Sequence, residues 1–116
     1  MTSAAIYGVG SYVPRKTLTN EEFTRTLDTS DEWIVQRTGI KERRIAAPDQ
    51  ATSDLCAHAA RAALKDAEVP ASDVDLIIVG TITPDFPTPS AACLVQQKLG
   101  MSEKLGHLTF GHREEQ

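Results

Sequence analysis

The chain has 116 residues, 41% hydrophobic and 24% charged, with a formal net charge of −4. That length supports one small domain with a modest core, and the acidic balance excludes the basic face a nucleic-acid partner demands. No apolar run approaches the ~20 residues of a membrane span; Met1-Thr2-Ser3-Ala4-Ala5 has no basic or long apolar region, so no membrane partner is expected and a cytoplasmic location is the default.

Taken in chain order, Ala4 to Val13 reads as a strand that Pro14 ends. Thr19-Asn20-Glu21-Glu22 starts a helix running to about Leu27, with Asn20 as cap and two acids at the positive end of the helix dipole. Thr29 and Glu32 have capping-box spacing, which places Trp33, Ile34 and Arg37 on a short helix that Gly39 stops. Lys41 to Ala46 is a short strand or extended arm. Thr52-Ser53-Asp54 caps the best helix, about Ser53 to Ala67, with Leu55, Ala59, Ala62 and Ala63 as its apolar stripe.

Pro70 and Ala71-Ser72-Asp73 make a turn. Asp75 to Ile82 is nearly continuously apolar, the mark of a strand buried on both faces. Thr83 to Pro89 is a loop, and Thr88-Pro89-Ser90 opens a helix, with Pro89 at its first position, that ends at Leu99 before Gly100. Ser102 to Gln116 is polar and without a clear period. Strands alternating with helices imply an α/β fold with a mixed, mostly parallel sheet.

Cys56 and Cys93 are too few for a disulfide scaffold. No Cys or His pair has zinc-finger spacing, and Cys56 and His58 point apart on one helix, so no metal is expected. Cys93 reads as a small buried hydrophobe. Gly8-Val9-Gly10 lacks the third glycine of a dinucleotide loop, since Val13 stands there. Trp33 and Arg37, at i and i+4, read from the residues alone as a surface aromatic packed on an arginine. Thr88 reads equally as a plain helix cap.

Thr29-Ser30-Asp31-Glu32-Trp33-Ile34-Val35-Gln36-Arg37-Thr38-Gly39-Ile40 resembles the T-S-D-E-W-I-x-x-R-T-G-I signature of the ketoacyl-ACP synthase III family. Pro89-Ser90-Ala91-Ala92-Cys93-Leu94-Val95-Gln96 resembles that family's P-S-x-A-C-x-x-Q helix, and Gly8 to Pro14 also fits. The resemblance covers about residues 4 to 100. It implies a thiolase-like layered α/β fold of which 1–101 is a partial N-terminal domain, with 102–116 a divergent tail. It also implies an acyltransferase that condenses an acyl-CoA primer with malonyl-ACP to 3-ketoacyl-ACP, starting type II fatty-acid synthesis, usually as a homodimer.

By the same resemblance, Thr29, Trp33 and Arg37 bind CoA, the last two flanking its adenine. Thr88 reaches the partner subunit's acyl pocket. No cofactor is implied beyond the CoA thioester that serves as substrate. The family's acyl-carrying cysteine lies in an A-C-x-G turn, and its His and Asn lie in a second half. This chain shows none of the three, so it is expected to be a truncated, frameshifted or internally deleted member without catalytic residues, inactive alone. Lacking sheet neighbours, it is expected to aggregate or to stay partly disordered, particularly after Gly100.

Overall fold

The computed structural model describes residues 3–102 and 105–111. Residues 103, 104 and 112–116 of the expected divergent tail lie outside the described residues. The chain divides into two compact units, Val13–Asp49 and the remainder.

In Val13–Asp49, β1 (Lys16–Thr19) pairs antiparallel with β2 (Glu42–Ile45), Lys16 opposite Ile45 and Thr19 opposite Glu42. β2 was expected; β1 was not, because four residues with Leu18 as their one large aliphatic side chain give no alternation to read. α1 (Asn20–Thr24) is shorter than its expected extension to Leu27. Its cap is Thr19 rather than Asn20: the Thr19 hydroxyl accepts from Glu22 N at 3.4 Å, and Glu22 Oε2 accepts from Thr19 N at 2.9 Å. That is a full capping box, one helix earlier than the expected Thr29–Glu32 box. At α2 (Asp31–Thr38) the cap is Ser30, whose Oγ accepts from Trp33 N at 3.1 Å. Gly39 ends α2 in the left-handed region, φ 70°, as expected.

Among the described residues, those from Ala4 to Val13 form no strand ladder, contrary to the expected strand there; residues 3–12 belong to the other unit. Their backbone lies along α3 (Thr52–Ala67), and Val9 N donates to Asp66 Oδ2 at 2.9 Å. The approach is close enough that a Cβ on Gly8 would stand 2.6 Å from Ala67 N. The expected stripe of α3 is therefore shifted. Ser53 and Ala57 are its buried residues and Cys56 packs on the core, whereas Leu55, Ala59, Ala62 and Ala63 are half-buried.

β3 (Leu76–Gly80) and β4 (Gly106–Phe110) pair in parallel, Leu76 opposite Gly106, joined through α4 (Ala91–Leu99). β4 falls where the sequence showed no period. Val79 packs with Ala91, Ala92 and Val95, and Ile77, Cys56 and Leu99 flank them. The small residues let the helices and the ladder approach closely. β3 was expected to be buried on both faces. Instead its face turned from this core is open: Leu76 is 54% exposed, Ile78 57%, and beside them Leu108 53% and Phe110 60%. At α4 the cap is Ser90, so Pro89 and Thr88 precede the helix rather than opening it. Gly100 stops it at φ 66°, as expected.

A polar clamp ties the loop after β3 to both helices. The fully buried Ser53 donates its N–H to Asp85 Oδ1 at 2.8 Å and its hydroxyl to Asp85 Oδ2 at 2.5 Å. Lys98 Nζ donates to Ser53 Oγ at 2.6 Å and to Asp54 Oδ1 at 2.5 Å. The Ala51 amide, and then Lys98, hold the Asp54 carboxyl below its ordinary 3.8. A depressed folded pKa gives stability that is complete above the unfolded value and is lost as pH falls through the folded one. We therefore expect stability to decline as pH drops below 3.8, and Asp54→Asn to flatten part of that decline. Denaturant titrations at stepped pH on both proteins measure it.

Candidate functional site

Within Val13–Asp49 the turn from α1 to α2 folds round a cavity of about 660 Å³, in the size range of small-molecule sites. Phe23 and Leu27 line one side, Thr29 and Ser30 the entry to α2, and Trp33 and Ile34 the next turn of that helix. Asp28 and Arg43 add one charge of each sign. The Arg43 guanidinium lies 4.7 Å from the centre of the Phe23 ring, and that of Arg37 lies 4.8 Å from the centre of the Trp33 indole. Both are cation–π distances. Trp33 remains 54% exposed.

Thr29 is the unusual member. Its Oγ1 is buried and makes no hydrogen bond, because Ser30 has taken the capping position one residue later. Buried hydroxyls are nearly always satisfied. One left open in the wall of a cavity is a ready partner for a polar group inside it.

Two of the expected site residues, Thr29 and Trp33, thus line one cavity. Arg37 stands against the indole of Trp33, and the separation leaves no room for a third flat ring between them. Thr88 belongs to the other unit, exposed in the loop before α4. Sequence reasoning missed Phe23, Arg43 and the buried Asn20. Arg43 was hidden in the charged run Lys41-Glu42-Arg43-Arg44. Its signal was the period of two in β2, which turns Arg43 and Ile45 inward and Glu42 and Arg44 outward.

Neither cysteine has a nucleophile's setting. Burial, and then the nearby Asp85 charge, push the Cys56 thiol up, away from the thiolate that reacts. Cys93 is half-buried on α4 with its sulfur 3.1 Å from Ser90 Oγ.

No family model matches the chain. The beta-ketoacyl-[acyl-carrier-protein] synthase III of Desulfitobacterium hafniense is 54% identical over 106 residues, 91% of this chain and 32% of that protein. The enzyme of the same name from Geobacillus kaustophilus is 59% identical over 97 residues, 84% of this chain and 31% of that one. The crystal structure of 3-oxoacyl-[acyl-carrier-protein] synthase III from Aquifex aeolicus superimposes with a TM-score of 0.86 at 42% identity, over 92% of this chain and 34% of that one. The chain therefore spans about a third of the length of the curated relatives it matches.

Proposed function

Since the chain carries the sequence and the thiolase-like fold of the beta-ketoacyl-ACP synthases III over that stretch, we propose that it supplies the CoA-binding end of such a condensing enzyme. In that reading the complete enzyme transfers an acyl group from a CoA primer to malonyl-ACP, giving 3-ketoacyl-ACP for type II fatty-acid synthesis. It works as a cytoplasmic homodimer, with Thr88 at the partner's acyl pocket. The observation that carries the reading is the cavity whose wall holds an indole, two stacked guanidinium groups nearby and an unsatisfied hydroxyl at Thr29. Flat aromatic and guanidinium faces suit a purine, and guanidinium groups suit phosphates.

Adenine binding beside Trp33 requires Arg37 to swing off the indole and close on the purine's other face or on its phosphates. Trp33 is the chain's one tryptophan, so its fluorescence reports this event directly. We expect CoA to quench it saturably. Trp33→Ala should weaken binding followed by calorimetry roughly 10- to 100-fold, in line with the ~1–3 kcal/mol of a base–aromatic stack. CoA that leaves the indole emission unchanged would refute the reading.

The 116 residues alone are proposed to bind without turning over. The family's acyl chemistry needs an activated thiolate and donors placed at the developing oxyanion. The local sequences Leu-Cys-Ala-His and Ala-Cys-Leu-Val around Cys56 and Cys93 do not match the family's A-C-x-G turn. Incubation with radiolabelled acetyl-CoA is expected to leave the chain unlabelled. A stable thioester mapped to Cys93 would overturn this.

A further inference from the structure

Beneath the cavity of Val13–Asp49 sits a polar side chain that its lining does not include. Asn20 is 2% exposed, the first residue of α1, and its amide is fully engaged. Nδ2 donates to Asp31 Oδ1 at 2.7 Å and to the Ile40 carbonyl at 2.8 Å. Its Oδ1 accepts a short hydrogen bond from Arg43. One planar group thus touches the first residue of α2, the segment after Gly39 that leads into β2, and a guanidinium in the cavity wall. A carboxamide suits this place because it offers two donors and an acceptor together. An aspartate could accept from Arg43 but would face Asp31 and a carbonyl with no proton to give.

We propose that Asn20 is the positioning residue of the aromatic cavity, setting Arg43 on one wall and the start of α2, with Ser30 and Trp33, on the other through a single buried amide. Asn20 also keeps two opposite charges apart. Asp31 and Arg43 both reach the same amide, and without it they are free to pair directly. That would draw the guanidinium off Phe23 and tilt the first turn of α2. The proposal rests on the reading that this cavity takes the nucleotide end of CoA.

The test uses the 116-residue chain at low concentration, with 3′-phosphoadenosine 5′-diphosphate as probe and Trp33 emission as readout. Asn20→Asp should weaken binding about tenfold, since the donations to the charged Asp31 and to the Ile40 carbonyl are lost and the first is replaced by repulsion. Adding Asp31→Asn to that variant exchanges donor and acceptor across that one contact and should recover about half of the lost binding free energy, the Ile40 carbonyl still facing a carboxylate. Denaturant midpoints of the same variants separate the roles: an affinity loss that exceeds any fall in stability marks positioning. Should the Asn20 variants fail to fold by circular dichroism, Asp31→Ala, at an exposed position, carries the test: parental affinity there overturns the proposal. Parental affinity in a folded Asn20→Leu variant also overturns it. A parent chain that does not bind the probe overturns the nucleotide reading instead, which separates the two failures.

Discussion

Gly10→Ala is expected to destabilise the chain by about 3 kcal/mol, the upper end of overpacking costs, read as a lowered denaturant midpoint. An added Cβ would meet the backbone of α3 itself, 2.5 Å from Ala59 O and closer still to Ala63 N. Helix backbone cannot rotate away as a side chain can, so the N-terminal segment must lift off or the helix must bend. Gly39→Ala serves as the contrast. Its Cβ meets nothing within 4 Å, so the cost is the left-handed strain of φ 70° alone, about 1 kcal/mol. A loss at Gly10 no larger than at Gly39 would show that the segment is not seated on α3 as described.

The second large effect is on association. Leu76, Ile78, Leu108 and Phe110 lie on one face of the β3–β4 ladder, each more than half exposed. Contiguous apolar surface of this kind drives contact between molecules. The parent chain is therefore expected to sediment above monomer mass, increasingly so with concentration. Ile78→Lys together with Leu108→Lys puts two charges on that face without touching Val79, Ala92 or Val95 behind it. That pair should return the chain to a monodisperse monomer. A parent that is monomeric at high concentration would show that the face is innocuous.

Much of the local structure was legible, and the failures share a cause. The stops at Gly39 and Gly100 and the extents of α3 and β2 follow from local chemistry, which a sequence carries in full. The caps slipped by one residue, from Asn20 to Thr19 and from Thr29 to Ser30, because adjacent polar side chains compete and the winner is set by tertiary packing. Leu76 to Val79 read as buried on both sides because run length cannot tell which face finds cover. β4 escaped notice because its partner lies about thirty residues earlier and Gly106 breaks its pattern. For the cavity, the resemblance of Thr29 to Ile40 to the family signature pointed to Thr29, Trp33 and Arg37, where the residues alone gave a plain surface pair. Asn20 and Phe23 come from α1 and Arg43 from β2, and only the fold brings them to the same place.

The way α3 carries the N-terminal residues has a consequence for the order of events during synthesis. Residues 3–12 leave the ribosome well before the helix they lie on, which begins at Thr52. Everything from Val13 to Asp49 emerges in between, as one contiguous stretch able to complete its own contacts. The earlier segment must therefore wait, without its helix, while a later one folds. Its two glycines, which let it nestle against the helix, also leave it little of its own to misfold into while it waits.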